Sequence, residues 1–224
     1  MTQTDPPVGA RQVTVAVARI ERWIDGFGER HGRFTASGDE RVLLTGSDGA
    51  RAWLELPWLP RSCADAPSDD GVPAQDQLGA LIADATRALR IGVILVRRGG
   101  HAVGVFDGPE LIASKVGTSY VQGTTKAGGW SQHRYANRRD NQAAAAFATA
   151  ADVAARILLP DVGRLDVLVR GGDRAAVDAV LADQRLAPLR SLHTGPLLAV
   201  PDPRLRVLQA APKQFQVVRI SLVP

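Results

Sequence analysis

The residues best suited to chemistry lie in one stretch, KAGGWSQHRYANRRDNQ, from Lys126 to Gln142. Two adjacent glycines, Gly128 and Gly129, are followed by Gln132 and then by Arg134, Arg138 and Arg139. Glycine lets a backbone approach a target where a Cβ would clash. A glutamine amide can orient a water or stabilise a developing oxyanion without titrating. Arginines beside it can hold phosphates, and Trp130 can stack on a base. Together with Lys126, Ser131 and His133, these residues describe a loop that reaches into a site walled by RNA. A flexible turn, a tryptophan anchored in a core and a solvated first helical turn account for the same residues without chemistry. Tyr135 reads as helix packing, and Gln122 is a second amide whose spacing does not fit.

Other chemistries are poorly supported. Gly129-Trp130-Ser131-Gln132-His133 half-matches a nucleophile elbow around Ser131, but the final glycine is missing and no strand leads into it. The chain has no glycine-rich dinucleotide fingerprint after its first apolar strand and no phosphate-binding P-loop. His31, His101, His133 and His193 are scattered without metal spacing, so neither a metal nor another cofactor is expected. Two-metal nucleases need carboxylates, one of them usually on the first strand. Here that strand reads IGVILVRRGG, and Asp107 and Glu110 fall in a turn.

Composition sets outer bounds. Apolar residues at 45% and charged residues at 22% are ordinary globular values, which excludes wholesale disorder. The net charge is +4, and all but Lys115, Lys126 and Lys213 of the 27 basic residues are arginine. That balance fits a polyanionic partner, and it fits equally a genome rich in arginine codons. Cys63 is the sole cysteine, so no intrachain disulfide forms and a reduced, cytoplasmic setting is expected. The stretch from Ala143 to Leu159 is interrupted by Asp152 and Arg156 and dominated by alanine, which reads as a soluble helix rather than a membrane span.

The elements that must position the loop follow from periodicity and turn chemistry. Val17, Ile20, Ile24 and Phe27 predict an amphipathic helix over Val13 to Arg30, after a loose tail of about ten residues. Arg41 to Thr45 and Ala50 to Leu56 flank Gly46-Ser47-Asp48-Gly49 and predict a β-hairpin. Residues 1–75 are thus expected to form a small helix-hairpin unit ending in a proline-rich linker, Pro57 to Ala74. Residues 76–224 form the second domain. A helix marked by Leu78, Leu81, Ile82, Ala85 and Leu89 leads into three strands, Ile91 to Arg97, His101 to Phe106 and Glu110 to Val116, joined by tight glycine turns as a meander. The loop spans Gly117 to Tyr135, and a long helix runs from about Asn137 to Leu158. A short strand at Leu165 to Val169, a helix capped by Asp173, and strands at Leu197 to Val200 and Gln214 to Val223 complete the chain. That order is the order of an RNase H-like α/β (α+β) fold with a mixed sheet.

GGWSQHRYANRR resembles the Gly-Gly-Gln loop of the archaeo-eukaryotic class-one peptide release factors, including the Arg-aromatic-Ala-x-x-Arg helix start at Arg134, Tyr135, Ala136 and Arg139. Aligned without gaps, the family glutamine falls on Trp130, whereas the nearby glutamine here is Gln132. A Gly-x-x-Gln arrangement from Gly129 to Gln132 is similar to the Vms-type branch, the VLRF group, and to its actinobacterial members in composition. By order of elements the resemblance covers about residues 90–224, and by motif about 126–142. It implies a release-factor central-domain fold and a ribosome-dependent peptidyl-tRNA hydrolase that frees nascent chains from stalled large ribosomal subunits. Gln132 would orient the water, Gly128 and Gly129 would give the loop its reach, and peptidyl-tRNA and ribosomal RNA would be the partners. Cleavage of the tRNA acceptor end by the same loop, and a non-catalytic RNA- or ribosome-binding adaptor, are the competing readings.

Overall fold

The computed structural model describes residues 5–38, 40–60, 74–118 and 131–223, with backbone alone for 74–76 and 131–141. Two compact units emerge, one taking the chain up to Ala88 and again from Lys213, the other Leu89 to Pro212.

The first unit opens with strand β1 (Arg11–Ala16), one turn of 3-10 helix over Val17–Arg19, and helix α1 (Ile20–His31). The helix expected from Val13 therefore starts at Ile20. Val13 and Val15 alternate with threonine and alanine, a β-branched run that fits a pleated surface better than a helical turn. Ile20, Ile24 and Phe27 are buried as the helical spacing requires. Strand β2 (Phe34–Ser37) precedes the expected hairpin, β3 (Arg41–Gly46) and β4 (Arg51–Glu55), whose turn is closed by Gly46-Ser47-Asp48-Gly49. Helix α2 (Ala74–Thr86) makes its contacts on β2 and β3. Of the proline-rich linker, residues 61–73 lie outside the described residues.

Strand β9 (Val217–Val223) forms as expected but joins this first sheet, in the order β1-β9-β4-β3-β2, all antiparallel. Val13, Ile220 and Leu54 lie side by side across three strands, so the last strand of the chain is the inner partner of its first. The small helix-hairpin unit is thus a five-stranded sheet closed by the C-terminus. Arg41 and Arg219 share the Glu55 carboxylate, with a 2.8 Å contact from each.

The second unit is built on β5 (Arg90–Arg97), β6 (Gly100–Asp107) and β7 (Glu110–Thr118), the meander read from the glycine turns. Helix α3 (Ser131–Leu158) crosses back, and β8 (Val167–Gly172) lies parallel to β5, giving the order β7-β6-β5-β8 of an RNase H-like mixed sheet. Helix α4 (Arg174–Leu181) follows, and α5 (Leu205–Ala210) sends Leu208 toward Gly104 of β6. Asp173 occupies the N-cap position of α4 as expected, but its carboxylate approaches Arg97 Nε at 3.5 Å and makes no capping hydrogen bond. No strand forms at Leu197 to Val200. Leu198 touches β8 at one isolated parallel bridge, to Gly171, and His193 before the segment makes another, to Val167. Pro196 between them has no N–H to extend a ladder.

The core of this unit lies between the sheet and one face of α3 and α4. Ile94, Val96, Val103 and Val105 meet Ala150, Ala151, Ala154 and Leu158 of α3 and Val177 and Val180 of α4. By length and composition 142–164 would pass for a membrane span, yet its inward stripe already has the sheet for a partner. Layer polarity changes along the helix. Near its C-terminus Leu158 and Leu165 close over Gly92, whereas at the other end the sheet presents His101, 2% exposed, with no hydrogen bond at Nδ1 or Nε2 among the described residues.

Two expectations follow. A chain ending at Pro212 loses β9 and leaves β1 and β4 without their shared neighbour, so its first unit should no longer unfold cooperatively and should be cut rapidly by protease, as limited proteolysis will show. Burial pushes the His101 imidazole below its ordinary value. The unfolded chain therefore takes up a proton first, and stability present above about pH 6.5 declines as pH falls toward the depressed folded value. Melting temperatures recorded across this range should fall on acidification, and His101→Gln should flatten the slope.

Candidate RNA-facing active site

Four sequence features meet at one edge of the second sheet. Strands β5, β7 and β8 all end there, and Gly100 of the β5–β6 turn pairs with Thr118, the last residue of β7. In open mixed sheets the carboxyl ends of parallel strands, where connections diverge, are the common location of sites. The segment carrying Lys126, Gly128, Gly129 and Trp130 leaves from this edge but lies outside the described residues, as does Gln122.

Helix α3 begins at Ser131, earlier than the Asn137 read from periodicity. Gln132, His133 and Arg134 therefore belong to its first turn rather than to a loop, and Arg138 and Arg139 to the second. Asparagine, histidine and tyrosine are weak helix formers, which made the boundary hard to see in the sequence. Position 132 falls on the same line of the helix as Ala143 and Ala150, about three and five turns on.

The lengths of the elements decide where this first turn stands. α3 has 28 residues, about 42 Å at the α-helical rise. The 8 residues of β5 beneath it span about 26 Å. Its C-terminal end is pinned, because a Cβ at Gly92 near the start of β5 would meet Leu158 Cδ2 at 3.4 Å and Leu165 Cδ1 at 3.2 Å. The surplus of about 15 Å must then project beyond the edge where β7 ends. Gln132 rides near the tip of that projection, directly after the di-glycine.

Beneath the root of the projection the packing is close and polar. His101 pairs in register with Gly117, and a Cβ on Gly117 would collide with the ring, with Nε2 at 2.6 Å. Glycine at 117 is required there by the imidazole. From the helix side Gln142, Ala143, Ala146 and Phe147 turn inward, and the Gln142 Oε1 is buried with no partner among the described residues. Sequence reasoning placed His101 on its strand but gave it no role, since a lone histidine in an apolar strand carries no spacing signal. Arg97 is tied to the Val200 carbonyl at 3.3 Å as well as to Asp173, whereas Arg98 stands exposed at the turn. Among the described residues no group of three or more histidine, cysteine or carboxylate side chains is arranged to hold a metal ion. The arrangement places the first turn of α3, with positions 132, 134, 138 and 139 on its first two turns, at the edge where β5, β7 and β8 end.

A family model of Actinobacteria/chloroflexi VLRF1 release factors matches residues 89–221. Among solved structures, an archaeal translation termination factor, aRF1, is similar at 17% identity and a TM-score of 0.43. That match covers 75% of this chain and 45% of the archaeal factor, so the chain spans less than half of its length. No curated protein sequence matches. The family match takes in all of β5 to β8, α3 and the di-glycine segment, which is more than half of the sequence. The chain belongs to the Actinobacteria/chloroflexi VLRF1 release factor family.

Proposed function

We propose that the protein is a ribosome-dependent peptidyl-tRNA hydrolase that frees nascent chains from stalled large ribosomal subunits. The observation that carries this reading is the overhang of α3, which holds Gln132 about 15 Å beyond the sheet and immediately after Gly128 and Gly129. Peptidyl-tRNA is an ester between the peptide and a terminal ribose, in a site lined with RNA and reached only through a narrow opening. A rod of one helix diameter can enter such a space where a sheet cannot. Gly128 and Gly129 remove the Cβ atoms nearest the ester. The Gln132 amide orients the attacking water, and an N–H from this segment donates to the oxygen on which negative charge develops. Neither group titrates, so the reaction needs no acid–base pair from the chain, and the surrounding RNA supplies the remaining contacts.

The basic residues act before the chemistry. Lys126, Arg134, Arg138 and Arg139 hold phosphates as the helix tip enters, Trp130 stacks on a base, and Ser131 and His133 contact RNA. The ester is the bond broken here. An attack of the ribose hydroxyl on the neighbouring phosphodiester would shorten the tRNA, whereas ester hydrolysis leaves its terminal nucleotides in place.

The pure protein incubated with stalled large subunits carrying labelled peptidyl-tRNA should convert the label to free peptide and full-length tRNA on a gel. Gln132→Ala should sediment with the subunits as the parent does, yet release peptide roughly 10²–10³-fold more slowly, the loss typical of one transition-state hydrogen bond. Wild-type release by that variant, or a shortened tRNA from the parent, would refute the assignment. Replacing Arg138 and Arg139 together by alanine should weaken subunit binding and flatten its dependence on log salt by about 0.7–0.9 for each phosphate no longer neutralised, measured by sedimentation at several salt concentrations.

A further inference from the structure

The two ends of the second sheet differ in charge. Where β5 starts and β6 ends, acids gather around Arg90. Its guanidinium meets Asp107 at 3.4 Å and Asp161 at 3.8 Å, and its backbone N–H donates to Asp166 at 2.8 Å. Glu110 pairs in register with Asp107 at the same end. At the other end, where β5, β7 and β8 stop, arginines predominate among the described side chains. Arg97 closes β5 and Arg98 follows it into the turn, Arg174 opens α4, and Arg204 and Arg206 stand at the start of α5.

Arg97 joins these pieces. Its Nε approaches Asp173 at 3.5 Å and its guanidinium donates to the Val200 carbonyl at 3.3 Å. The Asp173 N–H donates to the Val96 carbonyl at 2.8 Å, which fixes the start of α4 to the end of β5. A Cβ on Gly99 would lie 3.8 Å from the Asp202 carboxyl, so the chain leading into α5 runs against the same turn. The β5–β6 turn, the start of α4 and the segment from Val200 to Arg206 therefore form one surface within one compact unit.

Arg97 is committed to that internal task, and the other four arginines are not. Arg98, Arg174, Arg204 and Arg206 are exposed, and none makes a side-chain hydrogen bond or ion pair among the described residues. The acids on this surface are Asp173, held by Arg97, and Asp202. Such a placement works against folding, because like charges on one surface repel, and a cation at the first position of α4 opposes the helix dipole. A partner with repeated negative charge reverses both costs. Guanidinium forks match phosphate oxygens, and the surface is continuous with the edge at which α3 begins.

We propose that this edge, through Arg98, Arg174, Arg204 and Arg206, binds the phosphate backbone of RNA beside the site that the first turn of α3 enters. The four arginines dock the protein without touching the reacting ester, and contacts to phosphate carry no base sequence. The inference rests on the hydrolase reading for placing that RNA in the large ribosomal subunit, whereas the binding of RNA by the edge stands by itself.

The test separates the position of the charge from its amount. Arg98→Glu with Arg204→Glu reverses two cations at the basic end. Arg156→Glu with Arg164→Glu makes the same change in net charge on exposed residues of the same unit, toward its other end. Binding of a fluorescently labelled RNA hairpin, read by anisotropy, should weaken at least about tenfold in the first pair and no more than about threefold in the second. Arg98→Ala with Arg204→Ala should flatten the dependence on log salt by about 0.7–0.9 for each phosphate lost, and lysine at both positions should keep most of the affinity. If the glutamate pair does not fold, the alanine and lysine pairs carry the same comparison. On stalled large subunits the pair at the basic end should raise the protein concentration for half-maximal release about tenfold and leave the saturated rate unchanged. Equal losses in the two glutamate pairs would overturn the edge, and so would a saturated rate that falls while binding holds. Polyglutamate that displaces the hairpin at equal charge would assign the surface to an acidic protein and overturn the choice of RNA. A parent that binds the hairpin through this edge yet releases no peptide would refute the hydrolase reading and support the edge.

Discussion

The parallel pairing of β5 with β8 is the constraint from which the functional end of the molecule follows. Two parallel neighbours cannot be joined by a tight turn, so the chain must travel from the end of the meander back to the start of β8. β6 and β7 are spent on the antiparallel side, and α3 makes the return. β5 itself is buried from Ile91 to Val96, with Ile94 and Val96 under the helices and Ile91, Val93 and Leu95 on the opposite face. A strand so thoroughly apolar has no stable place except the interior of a sheet covered on both sides. Once it is there, the return helix has to start at the edge where β5, β7 and β8 end.

The same constraint explains why the helix projects in one direction. Its C-terminal end is held by Leu158 and Leu165 against the bare backbone of Gly92, and Pro160 just beyond closes off any further helical turns. Extra helical residues can be accommodated only at the N-terminus of α3. Going up the helix, the inward residues pass from Leu158 through Val153, Ala150 and Phe147 to Ala146, Ala143 and Gln142. Beyond Phe147 the described inward residues are small or polar. Reach is thereby obtained from ordinary core chemistry, by making one end of a helix stickier than the other.

How much of this was legible depended on whether the signal was local. The three meander strands announce themselves through Gly99-Gly100 and Asp107-Gly108, because a tight turn between apolar runs admits few residue types. The stripe of α3 from Phe147 to Leu158 was equally plain. Partnership across the chain was not. Val217 to Val223 reads correctly as a strand, but nothing in those seven residues says that its neighbours are Arg11–Ala16 and Arg51–Glu55. Likewise Val13 and Val15 fit both a helical stripe and a pleat, and only the far-away β9 decides between them. At the site, the residue types Gly128, Gly129 and Gln132 were visible, whereas the division between strap and rod was not, since Ser131 to Asn137 are indifferent helix formers that a long helix simply absorbs. His101 was hidden for another reason: its setting comes from Gly117 on the neighbouring strand, and not from any spacing along its own.

Sheets of this order often carry their catalytic groups on the strands themselves, as carboxylates gathered over the first strand to hold two metal ions. In this chain that route is closed by residue identity, because neither face of β5 carries an acid and Asp107 lies at the far end of β6, paired with Arg90 at 3.4 Å. The fold retains the geometry that focuses elements on one edge and has placed its polar groups elsewhere. A neutral amide on a projecting helix suits this arrangement for a physical reason. Carboxylates on a rod thrust among RNA phosphates would be repelled by them, and metal ligands would have to be held rigid at the least supported point of the structure. An amide carries no charge to be repelled, and under the proposed reading the RNA surface would supply its remaining contacts. The overhang, the alanines beneath it and the absence of acids on β5 thus fit together under the proposed reading, in which the protein would contribute reach and a single dipole and its partner would enclose the reaction.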